Sequence, residues 1–202
     1  MKKILVLGVG NVLWADEGFG VRAVEALHAA YRFDERVTLM DGGTQGLALY
    51  PYLMEASHVL VLDAIDFRLP PATLKVLRDA EVPVHCAIKV SPHQTTLSEV
   101  LAHAYLLGAE PEKITVIGVQ PEVLNDFGGS LRDGVRKRVS EAVALAVEEL
   151  ASWGVQVTRR EDGETVSPLN AQALTLAMYE NERPSEAEAC RAGDARVLSM
   201  RK

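Results

Sequence analysis

Up to residue 120 the chain alternates between two patterns of apolar and polar positions. Four short runs, KILVLGV (3–9), VTLMD (37–41), HVLVLDA (58–64) and ITVIGVQ (114–120), are rich in Val, Ile and Leu. Runs of this length and composition predict strands buried on both faces. Between them lie longer segments with helical spacing. These predict helices over 18–31, over 45–56 after the turn DGGT, and over 95–107, with Thr95 or Thr96 as N-cap and Gly108 at the end. The clearest helix is predicted over 130–153, where Val135, Val139, Val143, Val147 and Leu150 recur at helical intervals. Arg136, Lys137, Glu141 and Glu148 take its other faces. TLKVLRD (73–79), entered by Pro70-Pro71, adds an edge strand. Apolar strands separated by helices predict an α/β fold with a mostly parallel sheet covered on both sides.

From about residue 158 the pattern is lost. TRREDGETVSPLN is polar and turn-rich, NAQALTLAMYENE predicts a short helix, and 181–202 reads as poorly ordered. The expectation is one α/β domain over 1–157 and a partly disordered C-terminal extension over 158–202. A mobile tail is the ordinary reading of such a segment; a partner-binding arm is the other.

Composition narrows the function. With 202 residues and 48% hydrophobic content the chain can bury a core of ordinary size. A net charge of -7 with no Lys/Arg cluster argues against nucleic acid. Cys86 and Cys190 are too few for a disulfide framework or a cysteine-built zinc site. No apolar run is long enough to span a membrane, and residues 4–9 are followed by Asp16 and Glu17 rather than a small-residue cleavage site. These features point to a cytoplasmic protein.

The chemistry begins in ILVLGVGNVLWADEGFG, residues 4–20. A strand, Gly8-Val9-Gly10 and a helix start resemble a dinucleotide loop, but Leu13 stands where the third glycine belongs. Asp16 and Glu17 would also repel a pyrophosphate from the helix N-terminus. Helix capping is the ordinary account of such an acid pair. Two other residues shift the balance. Asp63 closes an apolar strand, where burial is costly unless the carboxylate is paired or binds a cation. The carboxyl ends of parallel strands line the functional crevice of open sheets, so the Glu17 loop and Asp63 would converge there. His93, in KVSPHQTT, follows a proline that restricts Ser91 to extended geometry. Alone it would read as a solvated loop histidine. Beside two acids it completes an O/O/N donor set suited to Zn²⁺ or Ni²⁺ with room for water or substrate. His28, His58, His85 and His103 read as ordinary packing or surface residues, and Cys86 as a small buried hydrophobe. No nucleophile elbow or helical H-E-x-x-H occurs.

In order, LGVGNVLWADEGFGVRAVEAL, DGGTQGLAL, VLVLDAID and SPHQ resemble the [NiFe]-hydrogenase maturation endopeptidases, over residues 3 to 157. The resemblance implies an αβα sandwich around a twisted sheet. It also implies removal of a C-terminal extension from the hydrogenase large-subunit precursor after nickel insertion, with the cut following a His or Arg. Carried over by motif, the metal-contacting residues are Glu17, Asp63 and His93, and the segment tied to substrate recognition is Asp41-Gly42-Gly43-Thr44. The implied metal is the substrate's own nickel, with no organic cofactor. The implied partner is the precursor; the size of the chain suits a monomer, and its charge and short apolar runs argue against nucleic acid and membrane as partners. Glu17 or Asp63 would serve as general base in an aspartyl-type or metal-dependent peptidase.

Two other classes remain open on sequence. A nickel-checkpoint chaperone would use the same three residues without hydrolysis, and product formation separates it from a protease. A dinucleotide-binding oxidoreductase would retain the strand–glycine–helix layout. The broken fingerprint predicts no binding of NAD(H) or NADP(H) in a fluorescence titration; saturable binding would restore that reading.

Overall fold

The computed structural model of the chain describes residues 2–82, 108, 111–171 and 174–182. Its central sheet is built from β1 (Ile4–Val9), β3 (Val37–Gly43), β4 (His58–Ala64), β5 (Leu74–Arg78) and β6 (Lys113–Val119), in the order β3-β1-β4-β6-β5. The first four are parallel, and β5 pairs antiparallel with β6 at the edge. A separate ribbon joins β2 (Tyr31–Phe33) to β7 (Val157–Arg159). The described helices are α1 (Phe19–Ala30), α2 (Tyr50–Glu55), α3 (Asp133–Arg136), α4 (Val139–Ser152) and α5 (Leu176–Glu182).

The two faces of the sheet follow from the period of two along each strand. Ile4 and Val6 of β1, with Leu60 and Leu62 of β4, enter a core shared with α1 and α4. Leu5 and Leu7, with Val59 and Val61, enter the opposite core against Leu49 and Leu53, at and within α2. The sheet is therefore covered on both sides, as the apolar runs predict. Glu149 pins α4 to the sheet. Burial would raise its pKa, but hydrogen bonds from Arg78 (2.8 Å) and Thr115 (2.9 Å) lower it on balance.

One contact fixes where α1 lies. A Cβ on Gly20 would stand 2.0 Å from the Leu62 carbonyl oxygen and 2.3 Å from that of Val9. A Cβ on Gly8 would stand 2.4 Å from the Gly20 carbonyl oxygen. The helix backbone thus rests directly on the backbones of β1 and β4. Leu13 breaks the dinucleotide pattern in sequence, and the close helix–strand approach is made at Gly20 instead.

Some predicted elements differ in detail. The helix predicted over 130–153 begins only at Asp133, because the Arg132 N–H is held by Asp16 (2.8 Å) with Arg132 extended at ψ 148°. A tighter step, from the Arg138 N–H to the Val135 carbonyl (3.0 Å), then separates α3 from α4. The helix predicted over 45–56 is a 3-10 turn (Gly46–Leu49) followed by α2, with proline in the first turn where its missing N–H costs nothing. The helix predicted over 95–107 lies outside the described residues, as does 183–202.

The ribbon was not predicted. It is stapled by Asp34, which accepts from Arg36 (2.8 Å) and from the Gln156 N–H (3.0 Å). The hydrogen bond from Arg36 outweighs burial and holds this carboxyl well below the usual range. After β7 the chain turns back over α1. The Arg160 N–H donates to the Ala30 carbonyl (2.8 Å) and its Nε to that of His28 (3.1 Å). Among the described residues no helix is long and apolar enough to cross a membrane.

A methyl group at position 20 has only backbone atoms to displace. Gly20→Ala is expected to destabilise the fold by about 3 kcal/mol, read as a lowered midpoint of urea unfolding. An unchanged midpoint would show that α1 can lift off the sheet.

Candidate active site

Four parallel strands end along one edge of the sheet, and the segments leaving them build the site. β1 passes through Gly10 into a 3-10 turn, Ala15–Gly18, that carries Glu17. Gly10 has φ +132°, and a Cβ there would stand 1.8 Å from the Glu17 carbonyl oxygen. Glycine therefore lets the turn fold back onto the strand end. Ala15, 1% exposed, is held at φ 42°, a left-handed conformation that a non-glycine residue keeps only when its surroundings enforce it.

Asp16 supplies that enforcement. Its side chain is fully buried, and Oδ2 accepts the N–H groups of Glu122 and Val123, both at 2.9 Å. Oδ1 accepts the N–H of Arg132 at 2.8 Å, and the Asp16 N–H itself donates to the Val123 carbonyl at 3.1 Å. The capping account of this acid is thereby corrected. The residue before α1 is Gly18, with no side-chain cap, and Asp16 instead clamps the loop that leaves β6. Its carboxylate is fully occupied by backbone donors, which suits structure rather than catalysis. The clamp is reinforced by an Arg132–Asp126 ion pair (2.9 Å) and by an edge-to-face contact between Trp14 and Phe127 (5.3 Å between centroids).

Glu17 is partly buried, and Asp63, near the end of β4, is 2% exposed. The 3-10 turn packs against β4, and the backbone contact of Gly20 on Leu62 fixes the spacing. Glu17 precedes that contact by three positions and Asp63 follows it by one, so the two acids stand on neighbouring segments at the strand ends. Asp63 extends the row of Val59 and Val61, on the face where Val82 is also buried. His93, the third residue of the predicted set, lies outside the described residues. So do His85, His103, Cys86 and Cys190. Among the described residues no three His, Cys, Asp or Glu side chains gather into a metal-holding group.

Asp41 stands across β1 from this pair, in register with Gly8. Its Oδ1 accepts the Gly43 N–H (2.8 Å), its carbonyl accepts Gln45 Nε2 (3.2 Å), and Oδ2 accepts Asn170 Nδ2 (2.9 Å). Gly42 is buried, and Gly43 and Thr44 lead outward. The other described histidines play packing parts. His58 opens β4 at the far edge of the sheet against Trp153 (5.2 Å), and His28 Nε2 lies 3.0 Å from the Ser167 carbonyl. Two cavities, of about 300 and 520 Å³, lie along α1 and are lined by neither Glu17 nor Asp63. Sequence reasoning missed Asn170, and also Arg22, an arginine only 5% exposed within α1.

Comparison with known proteins gives a consistent picture. The sequence profile of hydrogenase maturation proteases matches residues 21–149. The hydrogenase expression/formation protein HupD of Thiocapsa roseopersicina is 51% identical over 199 residues, covering 98% of this chain and 90% of that one. The hydrogenase 2 maturation protease of Escherichia coli is 40% identical over 160 residues, 79% of this chain and 97% of its own. Among solved structures, the hydrogenase maturating endopeptidase HybD of E. coli superposes with a TM-score of 0.74 at 39% identity, covering 80% of this chain and 99% of that one. A [NiFe] hydrogenase maturation protease HycI from Thermococcus kodakarensis, at 21% identity and a TM-score of 0.61, shares the fold.

Asp16 and Glu17 are adjacent, yet substitution should separate them. Asp16→Asn turns an amide NH₂ toward buried N–H donors and is expected to cost about 2 kcal/mol of stability. Glu17→Gln, at a residue only partly buried, should lower the thermal midpoint less than Asp16→Asn does. Equal midpoints for Asp16→Asn and the parent would remove the clamp from the account.

Proposed function

Since the chain belongs to the hydrogenase maturation protease family, we propose that this peptidase removes the C-terminal extension of a [NiFe]-hydrogenase large-subunit precursor once nickel is in place. What supports this reading is the match to hydrogenase maturation proteases, together with the backbone contact that sets the Glu17 turn beside the strand carrying Asp63. Nickel enters as part of the substrate, already held by the precursor's cysteines. In this reading Glu17, Asp63 and His93 complete its ligand shell from the enzyme side. Two carboxylates and an imidazole form a modest, open donor set, fit to share a metal rather than to own one.

The requirement for nickel follows from electrostatics. Two carboxylates facing one small crevice repel each other, and a cation between them removes that penalty. A precursor without metal brings no such cation and is not seated. With the metal in place, the scissile carbonyl is polarised. Glu17, the more accessible of the two acids, takes a proton from the attacking water and returns it to the leaving amine. Asp63, set in the wall of the sheet, orients the metal. The paired glycines 42 and 43 beside Asp41 let an extended substrate backbone approach closely, and Thr44 continues that wall. The protein works in the cytoplasm as a monomer, without an organic cofactor.

Intact mass spectrometry tests the reading on a nickel-loaded precursor and a nickel-free one. A C-terminal peptide is expected to be lost only from the nickel-loaded sample. Glu17→Gln is expected to slow that loss by about 100-fold or more. A normal rate in that variant would assign the base elsewhere. Tight association without cleavage would make the protein a nickel-checkpoint chaperone.

A further inference from the structure

The segment after β7 is a strap across α1, fastened at several places. Near its start Arg160 bonds to the end of α1, as described above. In its middle, Asn170 Nδ2 donates both to Glu25 Oε1 on α1 (2.8 Å) and to Asp41 Oδ2 on the recognition turn (2.9 Å). Farther on, Arg22 Nη1 donates to the Leu174 carbonyl (2.6 Å) and to Glu25 Oε2 (2.9 Å), with its guanidinium 5.6 Å from the Tyr179 ring centre. Tyr179 then donates to the Gly129 carbonyl (3.1 Å), and Glu180 pairs with Arg136 (2.7 Å) and accepts from Ser130. The described parts of this segment thus bond both to the Asp41 turn and to the loop held by Asp16.

The Asn170 amide sits where its chemistry matters. Glu25 and Asp41 both direct a carboxylate oxygen at the same nitrogen, and a neutral donor there keeps two anions close without adding charge. Arg22 balances Glu25, while the Asp41 carboxylate is met by the Gly43 N–H and the Asn170 amide. Oδ1 of Asp41 is committed to its own turn through Gly43, so the direction of Oδ2 depends on the strap.

We propose that Asn170 is a positioning residue for substrate recognition: it fixes the Asp41 carboxylate, and with it the 41–44 turn, in the orientation that receives the precursor chain. This rests on the proteolytic reading above, and it gives the strap a role in specificity. It predicts that losing the donor weakens capture of the precursor while the hydrolytic step is retained. The effect should follow the donor and not the shape of the side chain.

The test is steady-state cleavage of the nickel-loaded precursor by the full-length protein, by Asn170→Ala and by Asn170→Asp. The aspartate variant keeps the side-chain shape and replaces the donor by a third carboxylate. Both variants are expected to raise KM about ten-fold or more, the size of a lost hydrogen bond to a charged group, with the larger effect for Asn170→Asp. Their kcat should stay within about two-fold of the parent. An unchanged KM in both variants, or a fall in kcat alone, would overturn the inference while the parent enzyme still cuts. Should the parent itself leave the nickel-loaded precursor intact, the proteolytic reading fails first and this inference with it.

Discussion

The structure depends on a contact made by two residues with no side chain. Because Gly8 and Gly20 bring the backbone of α1 onto the backbones of β1 and β4, the helix has one place it can lie. That placement sets where the preceding 3-10 turn lands, and so sets Glu17 against the strand end that carries Asp63. It also presents the outer side of α1, with Arg22, Glu25 and His28, as the track along which the strap runs. Any larger residue at either glycine would lift the helix and shift all of these together.

Around that contact, four acids of similar chemistry have different environments. Asp16 is surrounded by backbone N–H groups and spends its charge on holding a loop. Asp63 is buried near the end of β4, and Glu17 is only partly buried. Asp41 spends one oxygen on its own turn and has the other steadied from a distant part of the chain. The division of labour is set by what surrounds each carboxylate rather than by the carboxylate itself.

Much of this is legible along the chain. The apolar runs locate the central strands to within a residue or two, and the edge strand over 73–79 is where the pattern puts it. The same pattern overextends one helix, because periodicity alone does not register that Asp16 takes the Arg132 N–H and holds the backbone extended. It passes over the β2–β7 ribbon, whose strands of three residues are too short to carry a period. It also reads the polar stretch after 158 without any hint that Arg160, Asn170 and Leu174 bond to α1 and its neighbours.

What the sequence determined by itself is local: the strand and helix periods, and the choice of Glu17, Asp63 and His93 as candidates for their chemistry. These follow from backbone geometry and from the types of neighbouring residues, so a short window contains them. What only the tertiary structure decided is which acid is taken up by backbone donors and how deeply each is buried. The partners of Asp16 lie 106, 107 and 116 positions away, and Asn170 lies 129 positions from Asp41. A single hydrogen bond between such distant residues leaves no period in the chain. It becomes visible only when the fold has brought donor and acceptor together.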